Sequence, residues 1–167
     1  MRLAIHYQIG QKVCDELEAN GRRVNKILFL FGNFYPDLIH SYLWCKHEYQ
    51  HSREYIRKKI EKLRNRPFLF SFHLGILAHY ISDYFCYPHS SVYNKSLFHH
   101  IMYELKQKAP QKFIGTKLKI RSFSVEELGR FVSWYEDLRP SFASDDTDYT
   151  DFHIAANITT NFLQAAY

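Results

Sequence analysis

Two short stretches carry side chains able to do chemistry at helical spacing. In HYISD, His79 and Asp83 stand four residues apart and, on a helix, project from one face one turn apart. Phe72 and Ile76 extend that stripe, so the carboxylate falls among apolar neighbours, where an ionised group is costly unless a cation balances it. In HHIMYE, His100 and Glu104 repeat the couple, with Leu97 and Ile101 beside them. His99 offers a competing register, but its i+4 partner is Tyr103, a poor metal ligand. Between the couples stands His89, just beyond Pro88, where a rigid loop can aim its imidazole back at the helices. Asp83 alone would pair with an arginine or lysine, or face solvent at a helix end. Two such couples on successive helices point instead to a divalent metal. Nitrogen and carboxylate donors without thiolate suit zinc, and also manganese or iron.

These residues need elements to hold them. At 167 residues, 46% hydrophobic and 17% aromatic, the chain suits one domain with a single core. Three cysteines, Cys14, Cys45 and Cys86, with no close-spaced pair, argue for buried reduced thiols rather than a disulfide framework or a thiolate zinc site. The N-terminus meets polar residues before an apolar run of signal-peptide length forms, so the chain reads as cytoplasmic. The long apolar stretch from Phe68 to Tyr87 nearly matches a membrane span, yet His73, His79 and Asp83 within it favour a buried central helix. Much of the formal net charge of +5 lies in residues 52–66, a face able to meet phosphate or anionic lipid, or simply a solvated helix surface.

The pattern predicts helices over Leu3–Ala19, ending at Asn20-Gly21, then Asp37 to about Gln50, Ser52–Asn65, the apolar segment closed by Pro88, and Leu97–Lys108. Residues 109–123 read as an irregular connection. Ser124-Val125-Glu126-Glu127 has the capping-box pattern, and a last helix covers Tyr149–Ala166. The expected fold is all-α, a single-domain bundle of six or seven helices with a multinuclear metal site between them. Residues 1–108 would form the metal-binding core, and 109–167 the C-terminal connection and helices. His6 lies on the inward stripe of the first helix with Ile9, Val13 and Leu17.

Read together, the residues spell H-x3-D-x5-H-x10-H-x3-E, and here the chain resembles the zinc-dependent phospholipase C family, all-helical phosphodiesterases related to the fungal single-strand-specific zinc nucleases. The resemblance asks for an upstream aspartate and a histidine about fourteen residues later, which implies Asp37 and His51 as ligands. By residue type alone, Asp37 after Pro36 reads as a helix N-cap and His51 as a surface residue. His47, four before His51, is the rival histidine. The resemblance also implies His6 as a ligand, with Met1 where the family has an N-terminal tryptophan. It thus implies one site of Asp37, His51, His79 and Asp83, a second of His89, His100 and Glu104, and a third of His6 with Asp83 bridging, for two or three zinc ions. The motif resemblance spans roughly residues 1–108.

The activity so implied is phosphodiester hydrolysis, an activated water attacking phosphorus in line and Asp37 orienting or deprotonating it. The substrate would be a phospholipid or nucleotide-like diester, with room for peripheral membrane contact and no integral membrane segment. A single-strand nuclease with the same zinc cluster, or a non-catalytic metal-stabilised domain, are the alternatives.

Overall fold

The computed structural model describes residues 1–39, 47–65, 67–107, 118–141 and 147–167. Seven α-helices and no strand lie among them: α1 Leu3–Ala19, α2 Lys26–Ile39, α3 Tyr49–Arg64, α4 Phe70–Tyr84, α5 Leu97–Lys106, α6 Val125–Leu138 and α7 Thr147–Gln164. Short 3-10 turns follow α4, at Tyr87–His89, and α6, at Arg139–Ser141. The all-α bundle expected from the sequence is the fold observed.

α1 has the boundaries its pattern predicts. Its stripe of Ile5, Ile9, Val13 and Leu17 is buried with His6 among them. The chain leaves through a left-handed Gly21 (φ 72°), with the Arg22 amide donating to the Leu17 carbonyl and the Gly21 amide to that of Glu18. Both bonds satisfy carbonyls that the helix end would otherwise strand. Ser124 caps α6 as expected, accepting from the Glu127 amide. The second half of the capping box is absent, because Glu127 instead accepts from the Arg121 amide and pairs with Arg130.

The helix expected from Asp37 is misplaced. The helix there is α2, which starts eleven residues earlier, at Lys26, capped by Asn25 accepting from the Leu28 amide, and it runs through Pro36. Asp37 therefore lies within a helix rather than capping an N-terminus. The middle of the predicted segment, 40–46, lies outside the described residues, as do Cys45, residues 108–117 of the expected connection and Lys108 at the predicted end of α5. Cys14 and Cys86 are free and buried.

α4 is the hub, buried from Leu74 to Tyr84, with α1, α2, α3 and α7 packed on it. None of the described helices is long and apolar enough to cross a membrane. Two basic residues of α3 are engaged: Arg57 Nη1 lies 2.8 Å from Glu126 Oε1, and Arg64 donates to the Phe123 carbonyl. They tie α3 to the start of α6 and the segment before it.

The closest helix crossing in the molecule's centre, α2 on α4, depends on two glycines. A Cβ on Gly75 would collide with the Phe29 carbonyl, and one on Gly32 with the Phe72 carbonyl. That contact brings the last turns of α2 against His79. Alanine ordinarily gains ~1 kcal/mol over glycine inside a helix. Gly75→Ala is expected to do the reverse, destabilising by about 2 kcal/mol or more because the obstacle is backbone that cannot rotate away. A lower urea midpoint at unchanged slope is the outcome to look for.

Candidate metal centre

Five elements converge beside the C-terminal half of α4. α4 itself presents His79 and Asp83, both fully buried. α1 supplies His6, α2 supplies Asp37, the residue two before α3 supplies His47, the turn after α4 supplies His89, and α5 supplies His100 and Glu104.

Around Asp83 the distances are short. Oδ1 lies 3.2 Å from His6 Nε2 and 3.0 Å from the Met1 α-amine, and Oδ2 lies 3.3 Å from His79 Nε2 and 2.8 Å from His47 Nδ1. His79 Nε2 is also 3.6 Å from Asp37 Oδ1. On the α5 side, Glu104 Oε1 is 3.1 Å from His100 Nε2, 3.4 Å from His89 Nε2 and 2.8 Å from the Met1 amine, which also approaches His89 Nε2 at 2.9 Å. Four overlapping groups of three can each offer ligand atoms to one cation: His6, His79 and Asp83; Asp37, His47 and His79; His47, Asp83 and His89; His89, His100 and Glu104.

Proximity alone does not make a metal site, but the proton inventory does more. His79 Nδ1 lies 2.9 Å from the Asn33 carbonyl, which can only accept, so Nδ1 carries the proton and Nε2 presents a bare lone pair. Ser82 Oγ donates its one proton to the His79 carbonyl at 2.8 Å, so its contact with His6 Nδ1 at 3.1 Å requires that nitrogen to donate. In the neutral ring His6 Nε2 is then bare as well. Both lone pairs face Asp83; His47 Nδ1 stands 2.8 Å from Oδ2, and His6 Nε2 has no hydrogen-bond partner. Acceptors pointed at acceptors in a dry interior repel one another. A divalent cation turns that repulsion into ligation, and Nδ1–H bonded to a carbonyl or hydroxyl is the support that metal-bound imidazoles have. The residues present fit such an ion.

The electrostatics agree. Burial, then the neighbouring His6, holds His79 well below the usual imidazole range, keeping it a neutral donor. Burial and the Met1 ammonium push His89 down to about 4. Asp83 stays ionised: burial opposes this, but the Met1 ammonium and then His89 and His6 hold its carboxyl well below the ordinary value. In Asp37 burial wins, and its carboxyl is raised.

Of the residues predicted from the sequence, His6, Asp37, His79, Asp83, His89, His100 and Glu104 are brought together. His51 is not. It lies on the first turn of α3 with its side chain 51% exposed and Nδ1 2.8 Å from Glu48 Oε2, whereas His47 is 12% exposed and within the cluster. The fourteen-residue spacing rests on the resemblance alone, and α3 begins only at Tyr49, between the two histidines. Among the described residues it is the rival histidine, His47, that stands beside Asp37 and His79.

Sequence reasoning also missed the supports. Asn33, four before Asp37 on α2, gives its carbonyl to His79 and its amide Nδ2 to the His6 carbonyl at 2.6 Å. A polar residue inside LFLFGNFY was its signal. Asp151, on α7, accepts from Tyr103 Oη at 2.6 Å, Tyr135 Oη at 2.8 Å and the Tyr87 amide at 2.9 Å. It thereby ties α7 to the turn that bears His89 and to the helix that bears Glu104. Nothing local marks it.

The family described as zinc dependent phospholipase C matches residues 5–165, so the similarity extends through α6 and α7, well beyond the 1–108 over which the motif is legible. No curated protein and no solved structure gives a significant match. Covering nearly the whole chain, the family match agrees with a donor set suited to zinc: the chain belongs to the zinc-dependent phospholipase C family.

Proposed function

We propose that this protein is a zinc-dependent hydrolase of phosphodiesters, with phospholipids as its substrate class. The observation that carries the reading is the pair of bare imidazole lone pairs, on His6 and His79, turned onto the buried Asp83 carboxylate. Asp37, His47, His79 and Asp83 would hold one ion, and His89, His100 and Glu104 a second. His6, with Asp83 bridging and the Met1 amine beside it, offers a third position. Manganese or iron would find the same donors acceptable.

Zinc held there supplies positive charge for the phosphoryl oxygens, a water of lowered pKa and stabilisation of the leaving oxygen. The chain's own contribution is placement and proton handling. Asp37 is partly exposed at the edge of the cluster, and its burial-raised carboxyl suits a group that orients the attacking water and takes its proton. His100 and Glu104 are also partly exposed, so the cluster is approached from the side of α5. The family match favours a phospholipid over a nucleotide.

The test is removal of metal by a chelator, then restoration with zinc, assayed on phosphocholine esters and on single-stranded nucleic acid. Hydrolysis of the phosphocholine ester is expected to fall by at least about 100-fold and to return with zinc. Hydrolysis that survives metal removal would refute the mechanism. A zinc-loaded protein that melts at lower temperature on chelation, yet cleaves neither substrate, would establish a cluster that only holds the fold.

A further inference from the structure

Helix α5 bears two residues of the metal centre, yet none of its side chains is fully buried. At 100° per residue its faces separate cleanly. Tyr103 points inward, to Asp151, and Gln107 just beyond the helix donates to Cys86 Sγ. His100 and Glu104 come next around the helix, in the cluster. Adjacent to them, on the outer side, run Leu97, Ile101, Leu105 and Phe98, which are 74, 48, 59 and 68% exposed. Four large apolar side chains on less than three turns form a ridge that water does not favour.

Apart from Glu104, the charges carried by this helix and its flanking residues are cationic. Lys95 and Lys106 are exposed at its two ends, and Arg2, also exposed, donates from Nη1 to the Leu105 carbonyl. Between residues 90 and 107 the sole acid is Glu104, which is engaged in the cluster. An apolar strip edged by cations matches the boundary of a bilayer, where acyl chains lie beneath phosphate groups.

We propose that the outer face of α5 docks on a phospholipid bilayer, seating Leu97, Phe98, Ile101 and Leu105 among the acyl chains with the metal cluster on the adjoining face at headgroup level. This deepens the function proposed above and rests on it for the role of the docking, though not for the docking itself. The ridge is continuous with the ligand face of the same helix, so docking there carries the cluster to the phosphodiesters.

The experiment uses the full zinc-loaded chain, vesicles of phosphatidylcholine with and without phosphatidylserine, and a combined variant Leu97→Ser, Ile101→Ser, Leu105→Ser. These positions are exposed, so the variant is expected to fold. Sedimentation should show the parent chain on vesicles, more strongly with phosphatidylserine, and the variant about tenfold or more weaker. Hydrolysis of a short-chain phosphocholine ester below its micellar concentration should change by no more than about twofold. Equal vesicle binding by parent and variant, or no binding by the parent, overturns the proposal. So does a parent dimer that the variant converts to monomer, because the ridge would then be covered by a second copy. A chain that binds vesicles through the ridge but cleaves no phosphodiester leaves the docking face standing and removes the proposed function. Cleavage of the soluble ester without vesicle binding does the opposite.

Discussion

Asp83→Asn is expected to abolish stable metal binding and, with it, phosphodiester hydrolysis. The carboxylate is fully buried, and both its oxygens face imidazole nitrogens. Asparagine keeps the shape but removes the charge and turns one acceptor into an NH2. It cannot bridge two cations. Loss of a group that merely orients a ligand costs about 10–100-fold in metal affinity, so loss of the shared ligand should exceed about 100-fold. The metal-free chain should suffer too, because the Met1 ammonium, 3.0 Å from Oδ1, loses its buried counter-charge. Breaking such a pair from one side costs about 3–5 kcal/mol. Isothermal titration with zinc and a thermal melt of the stripped protein read the two effects separately. A variant that still titrates two ions with parental affinity would show that Asp83 is no ligand.

The second large effect separates two histidines four residues apart. His47→Ala should weaken zinc binding by about 100-fold and cut hydrolysis comparably, because His47 stands within the group formed by Asp37 and His79. His51→Ala should leave both within about twofold, its exposed pairing with Glu48 being worth under ~1 kcal/mol. The opposite ranking would mean that the segment before α3 rearranges to bring His51 inward when metal binds.

That contrast also marks how far the sequence could be read. The two i, i+4 couples were legible because each is a local fact: one helix, one face, one turn. α1 and the central α4 were legible for the same reason, their burial being written in a stripe for α1 and in a nearly continuous apolar run for α4. His47 was obscured because the spacing that selected His51 came from the resemblance and has no local check, and the start of α3 at Tyr49 places the two histidines on different backbone. α2 was missed because Pro36 reads as a boundary. In a helix interior proline costs roughly 3 kcal/mol. The packing of α2 on α4 through Gly32 and Gly75 evidently outweighs that cost, a tertiary effect that no local window contains. Asp151 was invisible for a related reason, since its partners Tyr87, Tyr103 and Tyr135 lie 64, 48 and 16 residues away.

The Met1 amine is pulled two ways. Burial disfavours its charge, while Asp83, Cys86 and Glu104 favour it, and the balance lifts it to about 12. In the structure it lies at the junction of the Asp83 and Glu104 halves of the cluster.

Anomalous diffraction at the zinc edge, from crystals of protein whose zinc content has been measured, tests the central claim most directly. At least two ions are expected, one within about 2.0–2.2 Å of His79 Nε2 and an Asp83 oxygen, and another at the same range from His89, His100 and Glu104. Zinc found only at surface histidines such as His51, or no zinc in a crystal soaked with it, would contradict the account and leave the convergence of His6, His79 and Asp83 without its cation.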